Sequence, residues 1–314
     1  MTPPLLEETA IIFGADGNDL WPTLCAIQSV ITHNPHTKLD FYILHTAIPT
    51  TLQHLITALF QTESSQLTFL DVAQKAQALR THTHPRWQAS CFYRCYLPVL
   101  FREKRFVLWL DNALLVTGSL APLLHRFPQE ASLGAVVDPL AYMLQRNNVP
   151  LHTLLGDAPA AGLPDTTFAH YTKDHLSLTQ PEHYFNSNML LLRPRLISPS
   201  QINRCFTLAT RPYLCPGTDI LNQVFHNHVH LLPERWNFMT GKLTENLCLH
   251  LPESWKKQRE TERLHRCILN FPEGAKPWQD PALPGASHYQ RLSTQLEDRL
   301  SRLAPTLIRT LCSG

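Results

Sequence analysis

The sequence predicts an α/β fold: a doubly wound, mostly parallel sheet with a C-terminal helical extension. Short apolar runs such as Ala10–Gly14, Leu39–His45 and Phe106–Leu110 alternate with segments of helical spacing such as Leu20–Ile31 and Thr50–Phe60. That alternation is the pattern of parallel strands joined by helices. The run Phe106–Leu110 then stops at a carboxylate, Asp111, and open sheets of this kind bind ligands beyond the carboxyl ends of their strands. Asp111 is therefore the first candidate site residue. At 314 residues, 44% hydrophobic and 17% charged, the chain fills one large core, or one core with a small appendage.

The elements follow in order. Ala10–Gly14 runs into the turn Ala15-Asp16-Gly17-Asn18 and then the helix Leu20–Ile31, the opening of a nucleotide-binding unit. The turn lacks the glycine fingerprint of dinucleotide sites. Asp16 and Asn18 either contact a base or ribose or cap the helix, and capping is favoured on spacing alone. Leu39–His45 is a second strand, Thr50–Phe60 a helix and Leu67–Val72 a third strand. Pro85–Phe101 reads as a helix carrying Arg94 among apolar residues. Because its charge cannot be lost, Arg94 needs an acid or an anion, either a structural carboxylate or a phosphate or Asp111.

Beyond Phe106–Leu110, Leu133–Asp138 is a strand ending in an acid, and residues 139–180 read as a long irregular loop. The polar stretch Tyr184–Asn188 leads into the apolar Met189–Leu192. Cys215–Asn222 begins a helix with Thr218 and Asp219 in its first turn, a cap on spacing alone. His226, His228 and His230 alternate, which places them on one strand face if the strand extends that far; no accompanying carboxylate makes this a metal site, and His82 with His84 is weaker still. Cys267–Phe271 is a late strand followed by a glycine loop with Lys276, suited to a diphosphate. Gly285–Gly314 is an amphipathic helix and basic tail. Its Arg291, Arg299, Arg302 and Arg309 form a solvated face or touch anionic lipid.

The net charge is +2, which gives no basis for a nucleic-acid partner. No apolar run reaches the ~18 residues of a membrane span, and the start MTPPLLEETAIIFG lacks the pattern of a signal peptide. The expected location is the cytosol, with peripheral membrane contact through the tail. Eight cysteines without a regular framework read as reduced, buried thiols. The 25 prolines against 11 glycines suggest many stiff connections.

In chain order, the stretches IIFGADGN, FYRCYLPVLF, LWLDNALLVTGSL, AVVD, YFNSNMLLLRP, TDILNQVF, LPERWNF and LNFPEGAKPW resemble the successive motifs of glycosyltransferase family 8. Members include glycogenin and bacterial lipopolysaccharide galactosyl- and glucosyltransferases. The resemblance implies a GT-A-type, Rossmann-like domain over residues 1–280 with a helical extension over 281–314. It also implies retaining transfer of a hexose from a nucleotide-sugar donor, UDP-linked, to a glycan, lipid-linked or protein hydroxyl. A catalytically inactive member that binds nucleotide sugar or glycan is the alternative.

Carried over residue by residue, Ala15, Asp16 and Asn18 match the nucleotide site, and Asp19 stands where the family has an aromatic, with Trp21 as a substitute platform. Arg94, Asn112 and Lys276 match donor contacts. Asp138, Asn186, Asn188 and Asn222 match the sugar and acceptor pocket, with Asn188 in place of a glycine. Thr218 and Asp219 match the catalytic segment, Thr218 replacing a glutamine. Of the family's metal ligands only Asp111 is retained, since Ala113 replaces the second aspartate and Asn270 the histidine. A Mn²⁺ or Mg²⁺ site is therefore expected to be weak or absent: the protein either works without metal, or holds an ion only when the nucleotide brings its own phosphate oxygens.

Overall fold

A computed structural model of the chain describes residues 5–78, 89–155, 162–272 and 274–303. Seven strands form the main sheet: β1 (Thr9–Gly14), β2 (Leu39–His45), β3 (Ser65–Asp71), β4 (Phe106–Leu110), β6 (Leu133–Val137), β7 (Phe185–Leu192) and β8 (Val229–Leu231). Their order is β3-β2-β1-β4-β7-β6-β8. All neighbours are parallel except β7, which runs antiparallel to both β4 and β6. A small second sheet, β5 (Leu114–Val116), β10 (Ile268–Asn270) and β9 (Phe238–Met239), carries the chain beyond β4 back beside the late strand.

Strands β1 and β4 are buried at every residue, as expected of parallel strands covered on both faces. Alternate side chains enter opposite cores. Ile11, Phe13, Phe106, Leu108 and Leu110 join the helices Leu20–His33 and Thr50–Phe60 on one face, while Ala10, Ile12, Val107 and Trp109 meet Tyr93–Leu100 and Pro216–Phe225 on the other. The helix Ala286–Leu303 belongs to the first core through Tyr289, Leu292, Leu296 and Leu300. These are spaced by three and four residues, one helical stripe, and full burial of each leucine contributes roughly 1.5–3 kcal/mol.

Several expectations change. Residues 139–180 are not one irregular loop, since helices Pro139–Arg146 and Leu151–Leu155 lie within them. Asp138 caps the first, accepting from the N–H groups of Leu140 and Ala141, with Pro139 at its first position. The three histidines do not share a strand face: only His230 lies in β8, while His226 follows the helix Pro216–Phe225. The helix expected over Pro85–Phe101 is shorter in its described part, a 3₁₀ turn Ala89–Phe92 followed by Tyr93–Leu100. Arg299 is half-buried rather than freely solvated: its guanidinium donates to Gln28 Oε1 and Leu59 O. Trp21 is 8% exposed and its indole N–H donates to Ser293 Oγ, so it offers only a small part of its ring to the cavity it lines with Asn18 and Asp19. His82, His84 and the tail residue Arg309 lie outside the described residues. None of the seven described cysteines forms a disulfide. Among the described residues no helix is long and apolar enough to cross a membrane.

Candidate active site

The site assembles where the carboxyl ends of β1, β4 and β6 meet the start of β7. Asp111, one residue past β4, accepts a hydrogen bond from Arg94 Nη2 at 2.5 Å. Of the two partners open to Arg94, the structure provides Asp111. The guanidinium also lies 5.2 Å from the Trp109 ring centroid, and this stacking fixes its plane. Gly217 permits this packing. A Cβ at Gly217 would stand 2.1 Å from Cys91 O and 3.1 Å from Arg94 Nη1, so only glycine lets the helix Pro216–Phe225 come so close.

Asp16 does not cap the helix that follows it. Its Oδ1 accepts from Thr46 N and Oγ1 at 2.7 and 2.9 Å, and its Oδ2 accepts from Tyr93 OH at 2.6 Å. The carboxylate thus ties the ends of β1 and β2 to the helix bearing Arg94. Ala15 beside it is fully buried, whereas Asn18 is exposed. Asp19 is the acid that sequence reasoning treated only as a missing aromatic. Burial raises its pKa first, then Asp111, with Asp16 adding; a hydrogen bond with Asn112 and the charge of Lys276 oppose this. Those causes place Asp19 among Asp111, Asn112 and Lys276.

The amides form a network. Asn186 Nδ2 donates to Asp138 Oδ2, and Asn186 Oδ1 accepts from Asn188 N and Asn237 Nδ2, at 2.9 to 3.0 Å. Asn188 Nδ2 donates to Asn270 Oδ1 at 3.2 Å. Burial pushes the Asp138 carboxyl up, against the pull of its bonds to Asn186, Ala141 and Leu140. Asn222 is fully buried and clamps β7, accepting from Phe185 N and donating to Phe185 O. Thr218 Oγ1 lies 2.6 Å from Ser187 Oγ. Asp219 is 0% exposed and accepts from Tyr184 OH, Tyr171 OH and Cys215 N at 2.6, 2.8 and 2.7 Å. Expected beside the reacting atoms, it lies behind the wall, reaching back to the start of its helix.

Arg94, Asp111, Asp138, Asn186, Asn188, Thr218 and Lys276 line one cavity of about 670 Å³. Lys276 and Gly274 also line a second cavity of about 670 Å³ with Asn18 and Asp19. The predicted diphosphate residues therefore share one cavity, and the two cavities share a wall at the lysine loop. Lys276 Nζ donates to Phe271 O at 2.7 Å, which holds it over the end of β10. Thr46, Tyr171 and Asn237 carried no sequence signal, because their partners lie on other elements.

A resident divalent ion does not fit these residues. Ala113 offers no donor atom, Asp111 Oδ2 holds Arg94, and Asn270, 0% exposed, turns its amide oxygen to Asn188. Among the described residues no three His, Cys, Asp or Glu side chains come together as a metal site. Asn270, expected as a weak ligand, thus has its amide oxygen engaged by Asn188, which stands where the family has a glycine.

A mostly parallel sheet broken by one antiparallel strand, with acids, amides and a lysine loop at its carboxyl edge, defines a glycosyltransferase scaffold of the GT-A type. The chain belongs to Glycosyl transferase family 8, whose profile matches residues 10–282. It is similar to Glycosyltransferase GlyF of Streptococcus pneumoniae serotype 4, at 28% identity over 149 residues, or 47% of this chain and 36% of GlyF. The chain spans about a third of that relative's length. Its fold is similar to the apo bifunctional glycosyltransferase WbbM, with a TM-score of 0.80 and 19% identity over 93% of this chain and 51% of that one. It is also similar to the galactosyltransferase LgtC in complex with donor and acceptor sugar analogues, with a TM-score of 0.67 and 21% identity over 91% of this chain and 95% of that one.

Proposed function

We propose that the protein transfers a hexose, with retention at the anomeric carbon, from a UDP-linked donor to an acceptor hydroxyl, and does so without a resident metal. The observation that carries this reading is the shared cavity in which Arg94, Asp111 and Lys276 meet the amides of β7. The bond from the anomeric carbon to the diphosphate oxygen breaks as the acceptor oxygen bonds to that carbon, and the acceptor proton passes to the departing phosphate. Such a step depends on stabilising the charge that develops on the leaving group.

Lys276 and Arg94 supply that positive charge, and Asp111 orients the Arg94 guanidinium. Asp138, Asn186 and Asn188 offer hydrogen-bonding groups to the sugar hydroxyls from one wall. Thr218 lines the same cavity. Asp219 and Asn222 act as positioning residues, since both are fully buried. Asp16 positions the nucleotide end by fixing Tyr93 and Thr46. The work takes place in the cytosol.

The test is incubation of the pure protein with a panel of nucleotide sugars and simple acceptors, with Mn²⁺ or with chelator, while released nucleotide is measured. Release from one UDP-sugar at equal rates in both conditions is expected. Release from none rejects the transferase reading, and release only with Mn²⁺ rejects its metal-free form.

A further inference from the structure

A cavity of about 470 Å³ lies at the edge of the main sheet, beyond the carboxyl ends of β6 and β8. It falls within the size range of small-ligand sites and shares no lining residue with the cavity that holds Asp111. The helix Pro139–Arg146 separates the two. Leu140 and Leu144, one turn apart, line the Asp111 cavity, while Tyr142, midway between them, lines this one. The end of β6 divides in the same way, since Val137 lines this cavity and Asp138, the next residue, the other.

The lining mixes apolar, aromatic and polar side chains. Val137 and Leu231 supply aliphatic surface, and Tyr142 meets Trp255 of the helix Glu253–Leu264 with ring centroids 4.7 Å apart at 66°. In such an edge-to-face pair at least one ring keeps both faces clear of its partner. Both rings are half-buried and pack against the small core of Met143, Cys248 and Leu251, which sets their positions. Glu182 and His183 of the 3₁₀ turn Pro181–His183 also line the cavity, with Gln258. The Tyr142 hydroxyl, the Trp255 indole N–H, the Glu182 carboxylate, the His183 imidazole and the Gln258 amide make no hydrogen bond or ion pair with any described residue. Covering the small core needs the two rings, but not this set of donors and acceptors beside them.

That mixture discriminates among ligands. A phosphate or carboxylate finds no lysine or arginine among the described lining residues, and Glu182 repels it. Arg259, which pairs with the lining Glu234 and donates to Met239 O, is 2% exposed. A hydrocarbon would desolvate the polar groups and answer none of them. An uncharged pyranose offers C–H groups to an aromatic ring and a girdle of hydroxyls that both donate and accept. The first suit Trp255 and Tyr142, and the second suit Glu182, His183 and Gln258.

We infer that this cavity is a second carbohydrate site, which binds a neutral sugar unit outside the catalytic cavity. It goes beyond the proposed function, since no bond is made or broken there, and it gives the chain a hold on saccharide separate from the Asp111 cavity.

The test labels the full chain with fluorotryptophan and follows the Trp255 signal by fluorine NMR, the signal being assigned by its loss in Trp255→Phe. The probes are methyl β-D-glucoside, methyl β-D-galactoside, N-acetylglucosamine, lactose and maltose, each raised to tens of millimolar. At least one should shift the signal saturably. Gln258→Ala and Glu182→Ala, both at exposed positions, should weaken that binding roughly two- to tenfold while UDP affinity in calorimetry stays unchanged. The inference is overturned by no saturable shift with any of these sugars, or by a shift with hexanol or inorganic phosphate that no sugar reproduces. Undiminished sugar binding in both variants, or a matching loss of UDP affinity, overturns it equally. The readout needs no turnover, so failure of nucleotide release would reject the proposed function alone.

Discussion

The buried Asp219 gives a prediction whose size follows from the structure. Three donors favour its charged form, yet complete burial wins and pushes the carboxyl up to about 6. An aspartate in the unfolded chain titrates near 3.9, so the shift is about two units, or roughly 3 kcal/mol at 1.36 kcal/mol per unit. Because the folded value is the raised one, the stabilising contribution is fully present below about pH 4 and is lost as the pH rises through about 6. Asp219→Asn keeps an oxygen for Cys215 N–H and removes the titration. Urea unfolding of both proteins between pH 4 and 7.5 isolates the group as the difference between the two curves. The wild type should lose roughly 2–2.5 kcal/mol relative to the variant across that interval, the rest of the shift lying below pH 4. Parallel curves would refute the reasoning, because a carboxyl with an ordinary pKa would then occupy the site.

Lys276→Ala removes a charge-assisted contact worth about 1.5–3 kcal/mol, so UDP affinity should fall roughly ten- to a hundredfold, and unchanged affinity in calorimetry rejects the assigned role. The unmodified apo protein should bind Mn²⁺ poorly by paramagnetic resonance, whereas Ala113→Asp, Asn188→Gly and Asn270→His together should create a site. Micromolar Mn²⁺ binding by the unmodified protein, abolished by Asp111→Asn, would show that the present residues do hold the ion. Gly217→Ala forces a Cβ against Cys91 O, so it should cost about 1–3 kcal/mol in denaturant unfolding and also weaken UDP binding by moving Arg94; wild-type behaviour in both measurements counts against the packing described.

The strands that frame the site were legible because each is a near-continuous apolar run. Leu39–His45 and Phe106–Leu110 appear as read, since strands covered on both faces leave little ambiguity. The strand-end rule also brought out Asp111, and it lines one cavity with Arg94 and Lys276. Pairings across long separations were not legible. Asn188 and Asn270 are 82 residues apart, and each looks like an isolated departure from the family until their hydrogen bond joins them. Asp16 read as a helix cap or a base contact, yet both oxygens serve Thr46 and Tyr93, whose closeness depends on the register of β1 against β2. The helix Pro139–Arg146 was hidden by the prolines and polar residues around it, although Asp138 and Pro139 carried its start signal.

Strand β7 bears on how this chain can be recombined with its relatives. Met189 to Leu192 pair with Leu110 to Val107, and Phe185 and Asn186 pair with Val137 and Val136. A shift of one residue would exchange the two faces of the strand, turning the amides away from the cavity and sending Met189 and Leu191 into the core that Leu190 and Leu192 now fill, and the reverse. The apolar quartet therefore acts as a ruler for the amides that precede it in the strand. A chimaera joined between β4 and β7 has to keep three strands from one parent, even where the exchanged segment contains no residue of the cavity.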